Sequence, residues 1–427
     1  MKADYNTKKV VSWAVYDWAN SAFATTVMAG FFPIFFKQYW SVGADVTTST
    51  FKLGLANSLA SIIVALLSPL LGAIADKGSA KKRFLLFFAT MGIVMTGSLH
   101  FVVRGDWEIA AACYILANVG FASGNIFYDS LILSVTGEKK VDFVSALGFS
   151  LGYLGGGLLF ALNVAMTLSP ETFGLADANT AVRISFLTVA IWWALFSIPI
   201  FFFVDEPKAE DRFTGWKAAK AGFQQLKATF HEVRKLRVVF LFLISYWLYI
   251  DGVHTIIRMS VDYGISLGFD SKSLIVALLI TQFVGFPAAI IFGKIGEKIG
   301  AKTGISIGIG VYVAVTIWGF YMQKEWEFFA LAITIGLVQG GVQSLSRSFY
   351  IRLIPENKAA EFFGFYNMLG KFAAVIGPVL MGWVSVTTGN PRYSILSIIP
   401  LFISGVIILS FVDKEKGHQM AEELKKF

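Results

Sequence analysis

A run of about twenty apolar residues is the length that crosses a bilayer as a helix, and a chain that repeats such runs has few folds open to it. Here they fall near 12–36, 53–75, 84–103, 107–134, 144–168, 182–204, 238–260, 273–293, 303–322, 326–353, 361–387 and 393–412. Short polar turns separate them, except for the interval 205–237, so the runs form two sets of six. Inside lipid each backbone amide must find a partner within the protein, which leaves helices or closed barrels, and runs of this length select helices. Composition agrees: 56% of residues are hydrophobic and 15% charged, where a soluble domain carries roughly 25% charged residues. The expectation is an all-α integral membrane protein with twelve transmembrane helices in two six-helix bundles. Its parts are an N-terminal bundle at 1–204, a linker at 205–237 and a C-terminal bundle at 238–427.

The net charge of +8 is placed as loops of one membrane face require, so no nucleic-acid partner is expected. In chain order, one side collects the N-terminus, Lys77, Lys81, Lys82 and Arg83, Lys139 and Lys140, the 205–237 interval, Lys294, Lys298 and Lys302, Lys358, and the tail. The positive-inside rule puts that side, with both termini, in the cytoplasm. The stretch after the polar N-terminus is interrupted by Asp17 and Asn20, a poor signal-peptide core, so the first helix is expected to stay uncleaved. Within 205–237, Trp216, Ala219, Phe223, Leu226, Phe230 and Val233 recur every three or four residues, the pattern of an amphipathic helix lying on the membrane surface. Cys113 is the single cysteine, which rules out an intramolecular disulfide and a cysteine metal site. The four histidines, His100, His231, His254 and His418, share no motif, and no Walker loop is present. The chain therefore reads as a non-enzyme with no cofactor and no metal.

The two sets look like copies. Gly72, Asp76 and Lys81 recur as Gly293, Glu297 and Lys302 at an offset of 221, and Phe127-Tyr128 recurs as Phe349-Tyr350 at 222. At the latter offset Gly148 meets Gly370 and Gly155 meets Gly377. Parallel six-helix repeats are a transporter architecture, with the site near the midplane between them.

Ionisable side chains inside apolar spans are costly against lipid and mark interior pathways. The first run carries Asp17 and Asn20, the fourth Asn125 and Asp129, and the tenth Gln339, Gln343 and Arg347 on one helical face. In the seventh, Asp251, His254 and Arg258 at i, i+3 and i+7 also share a face. Lys371 lies in the eleventh, about 15 Å beyond Glu361 along a helix. Asp17, Asn20, Asn125, Asp251, His254, Gln339, Gln343 and Lys371 are the candidate substrate or coupling residues. Asp251 and His254 can carry a proton; Asp251 can equally pair with Lys371 or Arg258 as a structural bridge. Asp129 and Arg347, with Arg258, are candidates for a gate between the bundles. The loop Gly72 to Arg83 adds Gly72, Asp76 and Arg83 as a conformational latch, since glycine permits close helix approach and Asp76 can cap a helix start. Gly148, Gly152 and Gly156 form a stripe of four-residue steps suited to close helix packing. Gly377-Pro378 is a candidate hinge.

The Gly72–Arg83 loop resembles the signature loop between helices 2 and 3 of the major facilitator superfamily. A closer resemblance runs through Tyr16-Asp17-Trp18-Ala19-Asn20-Ser21, Leu248-Tyr249, Asp251-Gly252-Val253, Gln339-Gly340-Gly341, Ser346-Arg347-Ser348 and Glu361-Phe362-Phe363-Gly364, with Tyr153 to Gly157. These segments are similar to the branch that holds the vacuolar amino-acid effluxers of fungal autophagy and their bacterial relatives. The resemblance implies the major facilitator fold and a secondary active carrier. Such a carrier is expected to move a small polar solute, amino acids among the candidates, by alternating access and with protons as candidate coupling ion. The fifth run has glycines without the proline that superfamily antiporters often show there. A multi-pass protein of a bacterial inner membrane is expected, in contact with membrane lipid and sufficient as a monomer. The alternatives within the fold are a lipid or lysolipid flippase and a muropeptide or sugar-conjugate permease; an intramembrane enzyme lacks a nucleophile–base set.

Overall fold

The first helix begins where Asn6 accepts the backbone amides of Lys8 and Lys9 on its side-chain oxygen at 3.0 and 3.4 Å, satisfying donors that a helix start leaves over. The computed structural model describes residues 6–43, 46–137, 139–206, 220, 224 and 237–424. Helix α1 (Thr7–Trp40) is α-helical to Ala22 and then takes wide π turns over Phe23–Phe31 and Phe36–Trp40. Pro33 lies between these stretches and has no amide hydrogen to give. Around it Phe32, Phe35, Phe36 and Trp40 sink into an aromatic cluster with Tyr114 and Phe186.

The chain continues as α2 (Val46–Gly78), α3 (Lys81–Ser98), α4 (Trp107–Ser130), α5 (Val141–Leu168) and α6 (Ala178–Phe203), then α7 (Arg237–Ser266), α8 (Ser271–Ile299) and α9 (Ala301–Tyr321). It ends with α10 (Glu325–Ile351), α11 (Ala359–Thr388), α12 (Arg392–Ser410, turning briefly after Leu396) and the tail helix α13 (Lys414–Leu424). Among the described residues, eleven helices are long and apolar enough to cross a membrane, α1 to α10 and α12. Large apolar side chains face outward on them, Leu66, Phe87 and Phe202 for example, as a hydrocarbon surround allows and water does not. Helix α11 runs unbroken for 30 residues, with a described apolar stretch at Ile376–Ser385. The amphipathic helix expected in the linker lies, apart from Lys220 and Gln224, outside the described residues.

In the first half α1 lies on α5 and α6, and α3 on α4 and α6; in the second α7 lies on α11 and α12, and α8 and α9 on α10. Across the halves α2 meets α11, and α5 meets α8 and α10. The repeated glycines seat equivalent helices: Gly155 of α5 abuts Trp18 of α1, and Gly377 of α11 abuts Thr255 and Asp251 of α7. Gly120 of α4 lies against backbone of α3, where an added Cβ would stand 2.6 Å from the Gly92 nitrogen and the Phe88 oxygen. Backbone cannot step aside as a side chain can. Gly120→Val is expected to destabilise the first bundle by about 1–3 kcal/mol or more, read as an earlier thermal unfolding of the purified protein in detergent.

One element of the repeat needs a correction. Lys81 does not take the role of Lys302. The Lys302 ammonium donates to the Ser410 and Val412 carbonyls at 2.8 and 2.9 Å, and its counterpart is Lys82, which donates to the Phe201 and Val204 carbonyls at 2.6 and 2.8 Å. Each lysine is the second residue of its helix, α9 or α3, and closes the last carbonyls of the helix that ends its bundle, where a cation also meets the negative end of the helix dipole. Lys81, one position earlier, turns back to Asp76.

Candidate functional site

The hydrogen bonds between described residues of the two halves concentrate in the half of the molecule that carries the Gly72–Arg83 loop. Helix α2 brings Gly72 onto the start of α11 so closely that a Cβ there would collide with the Ala360 carbonyl. One turn on, Asp76 accepts the Glu361 backbone amide at 2.9 Å and pairs with Lys81 at 2.8 Å. Asp76 and Lys81 are buried. The carboxylate thus sits on the positive end of a helix from the opposite half. The equivalent face behaves alike: Gly293 of α8 abuts Ala146 and Asp142 at the start of α5, and Glu297 reaches Lys140 at 3.9 Å. The turn after α2 bends at Ser79, whose φ of +46° is left-handed, and not at Gly78. Arg83 is exposed and makes no ion pair with a described residue; Lys81 and Lys82 do the holding there.

Deeper in, Arg347 of α10 crosses into the other half. Its guanidinium donates to Asp129 at 2.9 Å, to the Ser145 hydroxyl at 2.9 Å and to the Ser145 carbonyl at 2.8 Å. It lies over the rings of Trp13, Tyr128 and Phe149 at 5.0, 5.7 and 4.4 Å, within reach of cation–π attraction. Trp13 stacks on Tyr128 and donates to its carbonyl. Gly148 leaves room for this assembly, since a Cβ there would meet Tyr128, Trp13 and Arg347 at about 3 Å. The expected Asp129–Arg347 contact is present. A second pair was not foreseen: Arg352 clamps Asp142 with two bonds of 2.7 and 2.8 Å. Its sequence signal was weak, an acid in the first turn of α5 and an arginine just past α10, with no copy in the other half.

The remaining polar residues divide between walls and interior. Asn20 donates to Asn125 at 2.7 Å, joining α1 to α4. Asp17, half-buried, accepts from Tyr128 at 3.3 Å and from Ser21 at 3.4 Å. Gln343 accepts from Tyr153 of α5 at 3.2 Å, and Gln339, one turn away, is buried. Asp251 is buried and faces α11: its Oδ1 accepts the Gly377 amide at 3.1 Å and the Thr255 hydroxyl at 3.4 Å, while Oδ2 has no hydrogen-bond partner among the described residues. The expected bridge to Arg258 is therefore absent at ion-pair distance, and the charged face of α7 is not a single surface. Asp251 turns inward, His254 is half-buried, and Arg258 is exposed. The side chain of Lys371 lies outside the described residues. Gly377-Pro378, read as a hinge, sits in unbroken helix, with the Gly377 amide held by Asp251.

Beside α7 the second half holds a narrow apolar cleft, lined by Ile256, Ile257, Met259, Leu278, Phe328 and Leu331 among others, with Ser260, Gln282 and Gln339 as its polar edge. Among the described residues no group of three or more His, Cys, Asp or Glu is placed to hold a metal.

A family model described as vacuole effluxer Atg22 like matches residues 39–140 and 134–422. An uncharacterized MFS-type transporter, YxiO, of Bacillus subtilis is 38% identical over 98% of this chain and 97% of its own length. Autophagy-related protein 22 of Yarrowia lipolytica is 24% identical over 90% of this chain and 79% of its own. Among solved structures, the major facilitator superfamily transporter FucP in the outward conformation superposes with a TM-score of 0.73 at 12% identity, covering 96% of this chain and 99% of that one.

Proposed function

The chain belongs to the Atg22-like family of major facilitator transporters, and on that premise we propose that it is a secondary carrier of small polar solutes, amino acids foremost, working by alternating access. The observation that carries this reading is the Arg347 cage. It is a buried cation of one bundle held by Asp129 and Ser145 of the other, a contact that must break for the loop side to open. In this reading α11 is the remaining crossing of a twelve-helix fold, with bundles at 1–204 and 238–427 joined by 205–237. The basic loop side, both termini included, faces the cytoplasm of a bacterial cell. The contacts drawn above then close the cytoplasmic side, and the solute enters from the other. Asp17, Asn20, Asn125, Gln339 and Gln343 supply the walls of the path. Gly72, Asp76, Asp129 and Arg347 supply its inner gate, with Asp142 and Arg352 added to it. Uptake of a labelled amino-acid panel by counterflow in proteoliposomes tests the carrier reading; exchange of none of them, with a lysolipid moved instead, overturns it. The apolar cleft favours that second reading, a carrier of amphiphiles.

Asp251 is the residue on which proton coupling rests. Its Oδ2 is buried without a described partner, and Oδ1 holds the α7–α11 contact, so its charge state is tied to helix packing. Asp251→Asn is expected to retain counterflow while losing pH-driven accumulation. A variant that keeps full pH-driven uptake ends the proposal that this carboxylate carries the proton.

A further inference from the structure

We propose that the tail helix α13 is a strap on the loop-side seam between the bundles, an autoinhibitory contact that holds this side shut and must lift before it opens. The inference rests on the carrier reading and adds a brake to it. Both halves end on the same three residues, Phe203-Val204-Asp205 and Phe411-Val412-Asp413. Each has its last carbonyls closed by a lysine, Lys82 or Lys302. Past that point the halves diverge. In the first, Glu206 turns back and accepts the Lys81 and Lys82 amides at the start of α3, so the chain stays on its own bundle. In the second, Asp413 starts a new helix. Its carboxylate accepts the Glu415 and Lys416 amides at 3.0 and 3.2 Å, satisfying donors that a helix start leaves over. Helix α13 is therefore an addition to the repeat, and the crossing helices of the second half are complete before it begins.

Small residues lay this helix down. Gly417, Met420 and Ala421, at i, i+3 and i+4, share one face. Gly417 and Ala421 are buried and Met420 packs on the main core, while His418 and Gln419 between them are exposed. A Cβ at Gly417 would stand 2.4 Å from the Leu353 Cδ2 and 3.1 Å from the Val238 Cγ1. The helix backbone thus lies directly on the start of α7 and on the turn after α10, and both Leu353 and Val238 are buried. The same turn holds Arg352, whose fork bonds Asp142 of the first half at 2.7 and 2.8 Å. Beside it a small cleft is lined by Leu133 of the first half, Arg352 and Glu356 of the second, and His418, Ala421 and Glu422 of α13. The strap therefore borders both halves at the point where a buried bridge joins them. Parting the bundles here draws Leu133 and Asp142 away from it. A contact made in one conformation and lost in the other adds its free energy to the first alone, so α13 weights the closed loop side.

The test removes residues 414–427 with a stop after Asp413, which keeps the Ser410 and Val412 carbonyls that Lys302 holds. The reporter is a cysteine introduced at Ser348 in a Cys113→Ser background. Ser348 is buried in α10, deeper than the turn that α13 covers. Its labelling by a thiol reagent, in the purified protein in detergent, needs no knowledge of the solute. Truncation is expected to raise the labelling rate on the order of threefold to tenfold. Counterflow of the amino-acid panel should rise about twofold, with the melting temperature close to that of the full chain. Gly417→Leu, which pushes the helix off Leu353 and Val238 without removing it, should act in the same direction. Gln419→Ala, on the exposed face, is the control and should change neither rate. Unchanged labelling in either variant, slower counterflow, faster labelling in the control, or a truncated protein that melts far below the full chain each overturns the proposal. Unchanged labelling with intact counterflow sinks the strap and leaves the carrier reading standing. Faster labelling on truncation, in a protein whose full chain exchanges no solute, keeps the strap and removes that reading.

Discussion

Arg347→Gln is expected to cost the carrier its closed loop side. The guanidinium holds Asp129, the Ser145 hydroxyl and the Ser145 carbonyl, and it is buried with its partner. Removing one member of a buried pair leaves the other charge desolvated and unpaired, typically a loss of about 3–5 kcal/mol. Here the loss falls on one conformation, because the pair spans the two bundles and can exist only while they touch. A few kcal/mol then shifts the balance between closed and open loop side by on the order of a hundredfold to a thousandfold. The measurement is the rate at which a thiol reagent labels a cysteine introduced, in a Cys113→Ser background, at Ser348, which is buried one residue from Arg347 and bonds only within its own helix. Labelling should be slow in the otherwise wild-type protein and rise at least tenfold with Arg347→Gln, while solute transport falls below a tenth. The charge-swapped pair, Asp129→Arg with Arg347→Asp, should recover part of the transport that either single change removes. Unchanged labelling in Arg347→Gln would show that the pair is a passive bundle contact.

Gly72→Val should have an effect as large by a different route. A Cβ at Gly72 would stand 2.6 Å from the Ala360 carbonyl carbon and 2.8 Å from the Glu361 Cα. These are backbone atoms at the start of α11, with no rotamer to change. Overpacking of this kind costs about 1–3 kcal/mol where neighbours can shift and more where they cannot. The displaced helix also carries the Glu361 amide away from Asp76, so the clash and the lost cap act on the same closed state. Transport is expected to fall at least tenfold while the melting temperature changes little, since Gly72 meets α11 across the interface and not inside its own bundle. Gly72→Ala should give a smaller loss in the same direction. A Gly72→Val protein that transports normally would exclude close approach of α2 and α11 as a step in the cycle.

Much of this was legible in the chain. Apolar runs gave the helices because lipid imposes a length and a backbone rule that no packing detail overrides. The repeat gave Gly72 with Gly293 and Gly155 with Gly377, because glycine is needed wherever two backbones approach, whatever lies around them. The pair of Asp129 and Arg347 was readable because both are charged inside apolar runs and must meet something. Asp142 and Arg352 were not, since each lies at a helix end where a charge needs no explanation. The orientation of Asp251 was also hidden. Helical spacing put it on one face with Arg258, but a face wide enough for three residues borders two neighbours, and on α11 the Gly377 amide donates to it. The swap of Lys81 for Lys82 is a one-residue shift that no offset in a glycine-rich alignment resolves; only the carbonyls each ammonium reaches decide it.

The polarity of the two buried bridges has a consequence for the electric field of the path. Both arginines, Arg347 and Arg352, come from the second half, and both acids, Asp129 and Asp142, from the first. Parting the bundles on this side therefore separates charge: one wall of the new vestibule gains two negative groups and the facing wall two positive ones. Water and counter-ions must flood in to screen them over roughly a Debye length of 8 Å. The opened mouth is then a transverse dipole, a place where a solute carrying both signs can align and where the ionic strength of the bathing solution sets how willingly the mouth stays open.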